Sequence, residues 1–99
     1  MTIKVERDYE LVVLEISGRL DTTTAPNLEK MVSKLSDDTK ELVFDISGLE
    51  YITSAGIRAF LGAYNKMNSN QGTMRIEKAN KAVREVLEMT GLLPMLIRE

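Results

Sequence analysis

At 99 residues the chain can bury one hydrophobic core and hardly two, so a single domain over residues 1–99 is expected. Thirteen basic against fifteen acidic side chains give a formal charge of -2, with 43% hydrophobic and 28% charged residues, the balance of an ordinary globular protein without a basic cluster for nucleic acid. Cysteine and histidine are both absent, which excludes disulfides, thiolate metal sites, cysteine nucleophiles and the commonest general base near neutral pH.

The chain opens with Ile3 and Val5 alternating with Lys4 and Glu6, breaks at Asp8-Tyr9-Glu10, and resumes as Leu11-Val12-Val13-Leu14-Glu15-Ile16 up to Gly18, the pattern of a hairpin. This start is charged rather than signal-like, and no apolar run reaches the roughly 18 residues of a membrane span, so a cytoplasmic protein without direct membrane insertion is expected. From Ala25-Pro26 onward, Leu28, Met31, Val32 and Leu35 recur at helical spacing, with Thr24 as cap, Pro26 in the first turn and Asp37-Asp38 at the end. Glu41 to Ile46 is a short, largely apolar run bounded by Ser47-Gly48, which predicts a central strand covered on both faces; a connector from Leu49 to Thr53 follows.

A second helix is predicted with Ile57, Phe60, Leu61, Tyr64 and Met67 on its buried side, closing between Asn68 and Gly72, where the glycine supplies the turn. Thr73 to Glu77 is a further strand, and Asn80 caps a third helix with Val83, Val86, Leu87 and Met89 facing inward and Gly91 as its stop. Met31, Met67, Met74, Met89 and Met95 suit core or gap-filling positions. In the tail, Met95, Leu96 and Ile97 fit either a last edge strand or a short helical end. Strands alternating with helices imply right-handed crossovers. The expected fold is α/β, with a mostly parallel mixed sheet of about four to five strands, an antiparallel N-terminal hairpin and about three to four helices.

The chemically informative segment is Asp45-Ile46-Ser47-Gly48-Leu49-Glu50-Tyr51-Ile52-Thr53-Ser54-Ala55-Gly56-Ile57, running from a buried strand into a helix start. Loops leaving the C-terminal ends of parallel strands are where α/β sheets place their sites. Ser54 falls at or beside the helix N-terminus with small residues after it, and a phosphate there would meet unpaired amides and the positive end of the helix dipole. By residue type alone, Thr53 or Ser54 reads first as a simple cap. Asp21 reads as a turn residue held by the amides of Thr22 to Thr24, and Arg58 as a solvated charge. Asp45 lacks a second carboxylate or a metal constellation and is taken as structural. No Walker-type glycine loop occurs, and no catalytic residue, metal or cofactor is expected.

That segment resembles the strand-loop-helix signature of the STAS family: aspartate, hydrophobic, serine, glycine, then serine, small residue, glycine, aliphatic. Gly18-Arg19-Leu20-Asp21-Thr22-Thr23-Thr24-Ala25-Pro26 is similar to the family's stretch before its first helix. Asn80 through Val83 and Val86-Leu87 to Thr90-Gly91-Leu92 resembles its late helix and turn. The three matches lie in the family's order and cover nearly the whole chain.

The resemblance, which is to the anti-sigma factor antagonist type, implies a non-enzymatic partner-switching regulator. Unphosphorylated, it would bind an anti-sigma factor that is itself a serine kinase; phosphorylation at Ser54 would release it, and a serine phosphatase would reverse the modification. Thr53 stands where regulated members commonly carry an aspartate, and is a second possible acceptor. The partner surface implied consists of Asp21, Thr22, Thr23, Thr53, Ser54, Ala55, Gly56, Ile57 and Arg58. The alternative within the same family is an unphosphorylated, constitutive subunit of a membrane transporter or another signalling assembly.

Overall fold

In the computed structural model, which describes residues 1–91, the N-terminal alternation folds as a hairpin of β1 (Thr2–Asp8) and β2 (Leu11–Leu20). They pair antiparallel from Thr2↔Ser17 to Asp8↔Leu11, and Tyr9, at φ 55°, makes the left-handed step of the tight turn. Then follow α1 (Ala25–Ser33), β3 (Glu41–Ile52), α2 (Ser54–Ser69), β4 (Thr73–Glu77) and α3 (Lys81–Met89). The sheet runs β1-β2-β3-β4, with β3 parallel to both neighbours. This is the expected α/β architecture, with four strands and three helices among the described residues. The expectations for Met95, Leu96 and Ile97 lie outside them.

Alternation sends Val12, Leu14 and Ile16 of β2, Leu42, Phe44 and Ile46 of β3, and Met74 and Ile76 of β4 to one face of the sheet. Leu28 and Val32 of α1, Phe60, Ala63 and Met67 of α2, and Val83 and Leu87 of α3 join them in a single buried cluster. Phe44 and Phe60 meet edge to face with centroids 4.9 Å apart, a geometry worth about 0.5–1.5 kcal/mol beyond area burial. On the opposite face Val43 is also buried, in register between Val13 and Arg75. The Arg75 guanidinium bonds Glu77 at 2.7 Å and Glu41 at 2.8 Å.

Four local expectations are corrected. First, β3 does not stop at Ile46: it continues through the supposed connector to Ile52, because two register shifts against β2, between Glu15 and Ser17 and between Gly18 and Arg19, absorb extra residues as bulges. Buried positions then fall at Ile46, Leu49 and Ile52, every third residue, which no strand template matches.

Second, Leu61 and Tyr64 are 43% and 39% exposed. The buried side of α2 is Gly56, Ile57, Ala59, Phe60, Ala63 and Met67, with small alanines turned inward. Third, Met89 is 86% exposed, because Val83 and Leu87 define the inward direction of α3 and Met89 lies two residues, about 200°, past Leu87. Fourth, α1 ends at Ser33 rather than at Asp37-Asp38, although Leu35 beyond it is still buried.

Turn chemistry also refines two assignments. At the end of α2 the left-handed residue is Gln71, at φ 59°, and Gly72 is needed for space instead: a Cβ there would come within 2.5 Å of the Lys40 carbonyl oxygen. Asn80 caps α3 as expected. Its Oδ1 accepts from the Val83 amide at 2.8 Å, while its Nδ2 donates to the Leu49 carbonyl at 2.9 Å and so ties α3 to β3.

Candidate functional site

The segments singled out by sequence meet where β2 and β3 end. Leu20 and Ile52 are register partners, and beyond them the Thr53 amide donates to the Leu20 carbonyl at 3.0 Å. The turn that starts at Asp21 therefore lies beside the start of α2. Gly56 makes this junction tight: a Cβ on it would fall 2.7 Å from Ile52 Cγ1 and 2.8 Å from Leu20 Cγ. The helix start can settle onto the strand ends only without a side chain at that position.

Asp21 organises its own turn. Its Oδ1 accepts from the Thr23 hydroxyl at 2.7 Å, from the Thr23 amide at 3.0 Å and from the Thr24 amide at 3.2 Å. The Thr23 hydroxyl above all, together with these amides, holds the carboxyl below its ordinary pKa against a smaller opposing effect of burial. Thr24 stands at the N-cap of α1 but makes no side-chain cap. Its hydroxyl instead donates to the Arg19 carbonyl at 2.9 Å and accepts from the Asp21 amide at 2.9 Å. Thr22 and Thr23 are exposed.

At the other junction Thr53 is the N-cap of α2 by position, with extended backbone, yet its hydroxyl makes no cap bond. That oxygen is buried without a hydrogen-bond partner. Ser54, the first helical residue, is exposed. The first intrahelical bond runs from the Ile57 amide to the Thr53 carbonyl, which leaves the amides ahead of it without intrahelical partners. Arg58 is exposed one turn further on, Ala55 is half-buried, and Gly56 and Ile57 face inward. Those last two shape the helix start from beneath rather than present a surface.

Two neighbours escaped the sequence reading. Arg19 and Tyr51 are register partners at the strand ends, and the guanidinium sits 4.4 Å from the centroid of the Tyr51 ring. Arg19 Nε is also 3.9 Å from Asp21 Oδ2. Both residues fall inside the quoted motifs, but their contact depends on the β3 bulges, which leave no sequence signature. Asp45 lies apart from this rim. Burial acts to raise its pKa, but the Ser47 amide at 3.0 Å and Lys78 at 3.5 Å outweigh it and keep the carboxyl below its ordinary value. These contacts suit a structural role.

Known proteins share this fold. The anti-sigma-B factor antagonist of Staphylococcus aureus (strain NCTC 8325 / PS 47) is 25% identical over 96 residues, covering 96% of this chain and 86% of that protein. The structure of the anti-sigma factor antagonist SpoIIAA in its unphosphorylated form superposes with a TM-score of 0.89 at 20% identity, covering 99% of this chain and 88% of the other; the Bacillus cell fate determinant SpoIIAA in its phosphorylated form gives 0.80 at 19% identity, covering 99% and 91%. A sulfate transporter family protein from Wolinella succinogenes superposes with a TM-score of 0.77 at 14% identity, over 89% of this chain and 72% of that one. Residues 2–98 match the STAS domain family, and the chain is a member of that family.

Proposed function

We propose that this protein is an anti-sigma factor antagonist that works by binding rather than by catalysis, and that Ser54 is its switch. The observation that carries the reading is the contrast between adjacent hydroxyls: Ser54 is exposed at the first position of α2, whereas the Thr53 oxygen is buried. A kinase can reach the first without opening the junction. The antagonist of Staphylococcus aureus and SpoIIAA support the same reading, the latter being known in unphosphorylated and phosphorylated forms. Asp21, Thr22, Thr23, Ser54, Ala55 and Arg58 form the partner surface, with Thr53, Gly56 and Ile57 holding it from below. The partner is an anti-sigma factor with serine kinase activity, and a serine phosphatase resets the switch.

Phosphorylation adds about -1.5 to -2 charges in the middle of that surface and breaks the contact by repulsion and desolvation. A loss of about 3 kcal/mol weakens binding on the order of a hundredfold. The test is to incubate the protein with its cognate candidate kinase and ATP, locate phosphate by mass spectrometry, and measure complex formation beside Ser54→Ala. Phosphate on Ser54 with loss of the complex is expected. A stable complex without phosphate would replace this reading with a constitutive assembly subunit, the role suggested by the transporter-family likeness; phosphate on Thr53 alone would overturn the residue assignment.

A further inference from the structure

We propose that Arg58 is the counter-ion of a phosphate carried on Ser54, a reading that rests on the proposed modification of that serine. Ser54 and Arg58 are four apart on α2 and both exposed. Residues at this spacing share a helix face, and the Cα–Cβ bonds tilt toward the N-terminus, so the Arg58 side chain leans back over the turn that carries Ser54. The first turn of α2 contains no acidic residue to compete for it. Among the described residues Arg58 makes no ion pair.

Two other charges at this rim are engaged. Arg19 is stacked on Tyr51 and faces Asp21, whose Oδ1 is occupied by Thr23 and Thr24. The Thr53 hydroxyl, buried and unpartnered, does not take up the helix-start amides. A phosphoserine at position 54 therefore finds a guanidinium fork one turn away, a geometry that suits phosphate oxygens. Modification then acts twice. It blocks the serine hydroxyl, and it folds Arg58 back onto its own helix, removing a free cation from the face offered to the partner.

The test uses the full chain with phosphoserine installed at position 54 during translation, titrated by 31P NMR, in the wild type and in Arg58→Gln and Arg58→Lys. A phosphoserine ordinarily loses its second proton near pH 6. A facing cation lowers that pKa, and Arg58→Gln raises it by about 0.15–0.4 unit while Arg58→Lys retains most of the lowering. Melting of the unmodified Arg58→Gln protein at the wild-type temperature confirms that the fold is intact. Identical titrations for the wild type and Arg58→Gln would overturn the assignment and leave the helix-start amides as the phosphate's partners. Because the phosphoserine is placed without a kinase, failure of any kinase to modify Ser54 overturns the switch itself and is read separately.

Discussion

A methyl group added to α2 has opposite effects at its two glycines. Replacing a helical glycine by alanine removes backbone freedom from the unfolded chain, a gain of about 0.5–1 kcal/mol. At Gly62 nothing lies within 4 Å of the new Cβ, so Gly62→Ala receives the whole gain and melts about 2–8 °C higher. At Gly56 the same Cβ falls 2.7 Å from Ile52 Cγ1, 2.8 Å from Leu20 Cγ and 3.0 Å from Leu20 Cδ2. Leu20 is fully buried and Ile52 nearly so, and overpacking of this kind costs about 1–3 kcal/mol. Gly56→Ala is therefore destabilised by up to about 2.5 kcal/mol after the helical gain.

Urea unfolding of the two variants beside the wild type reads the difference directly, as opposite shifts in midpoint at an unchanged slope. Hydrogen exchange supplies a local check. Lifting α2 off the strand ends stretches the bond from the Thr53 amide to the Leu20 carbonyl, so that amide exchanges faster in Gly56→Ala than in Gly62→Ala. Equal stabilisation by both substitutions would refute the argument that a close approach, rather than a backbone preference, requires glycine at position 56.

Two further outcomes follow from the same junction. Thr53→Val removes a buried, unpartnered hydroxyl at constant shape, so the free energy of unfolding from urea titration stays level or rises by about 1 kcal/mol; a loss of that size would mean that the hydroxyl is bonded after all. Asp21 has a folded pKa below its unfolded value of about 3.9, so its contribution is fully present above that value and is lost as pH falls through the folded pKa. The Thr23 and Thr24 amide NMR signals accordingly hold steady from neutral pH down to about 4 and move only below it. Asp21→Asn abolishes that acid-side movement, and titration of these amides well above pH 4 would contradict the geometry.

What could be read from the chain depended on how local the cause was. Strict alternation in β2 and the Asn80 cap are governed by neighbouring residues, and both were legible. The second half of β3 was not, because bulges are settled by pairing with β2, and Leu49, Glu50 and Tyr51 look like a loop without it. The outward turn of Leu61 and Tyr64 was hidden for a related reason: Ala59 and Ala63 mark the buried side by being small, and a pattern of large apolar residues overlooks them. At the site, only the family resemblance put Asp21 and Ser54 on one surface; residue type alone read Asp21 as a turn residue. The stacking of Arg19 on Tyr51 and the burial of the Thr53 hydroxyl required the register itself.

The bulges in β3 uncouple how many residues a strand contains from how far it reaches. β2 has 10 residues and β3 has 12, yet the pairs Leu11↔Glu41 and Leu20↔Ile52 start and finish side by side. A regular β3 of that length would overshoot its neighbour by about 6–7 Å, at about 3.3 Å per residue, and would carry Ser54 away from the Asp21 turn. Removing a single residue within Ser47 to Tyr51 would take up one of the two bulges, so that β3 must either lose the local bend and twist the bulge supplies or slip its pairing with β2 beyond that point. The alignment of the two turns is thus measured out by slack in the strand between them, and a deletion far from Ser54 in chemistry would misplace it as surely as a substitution beside it.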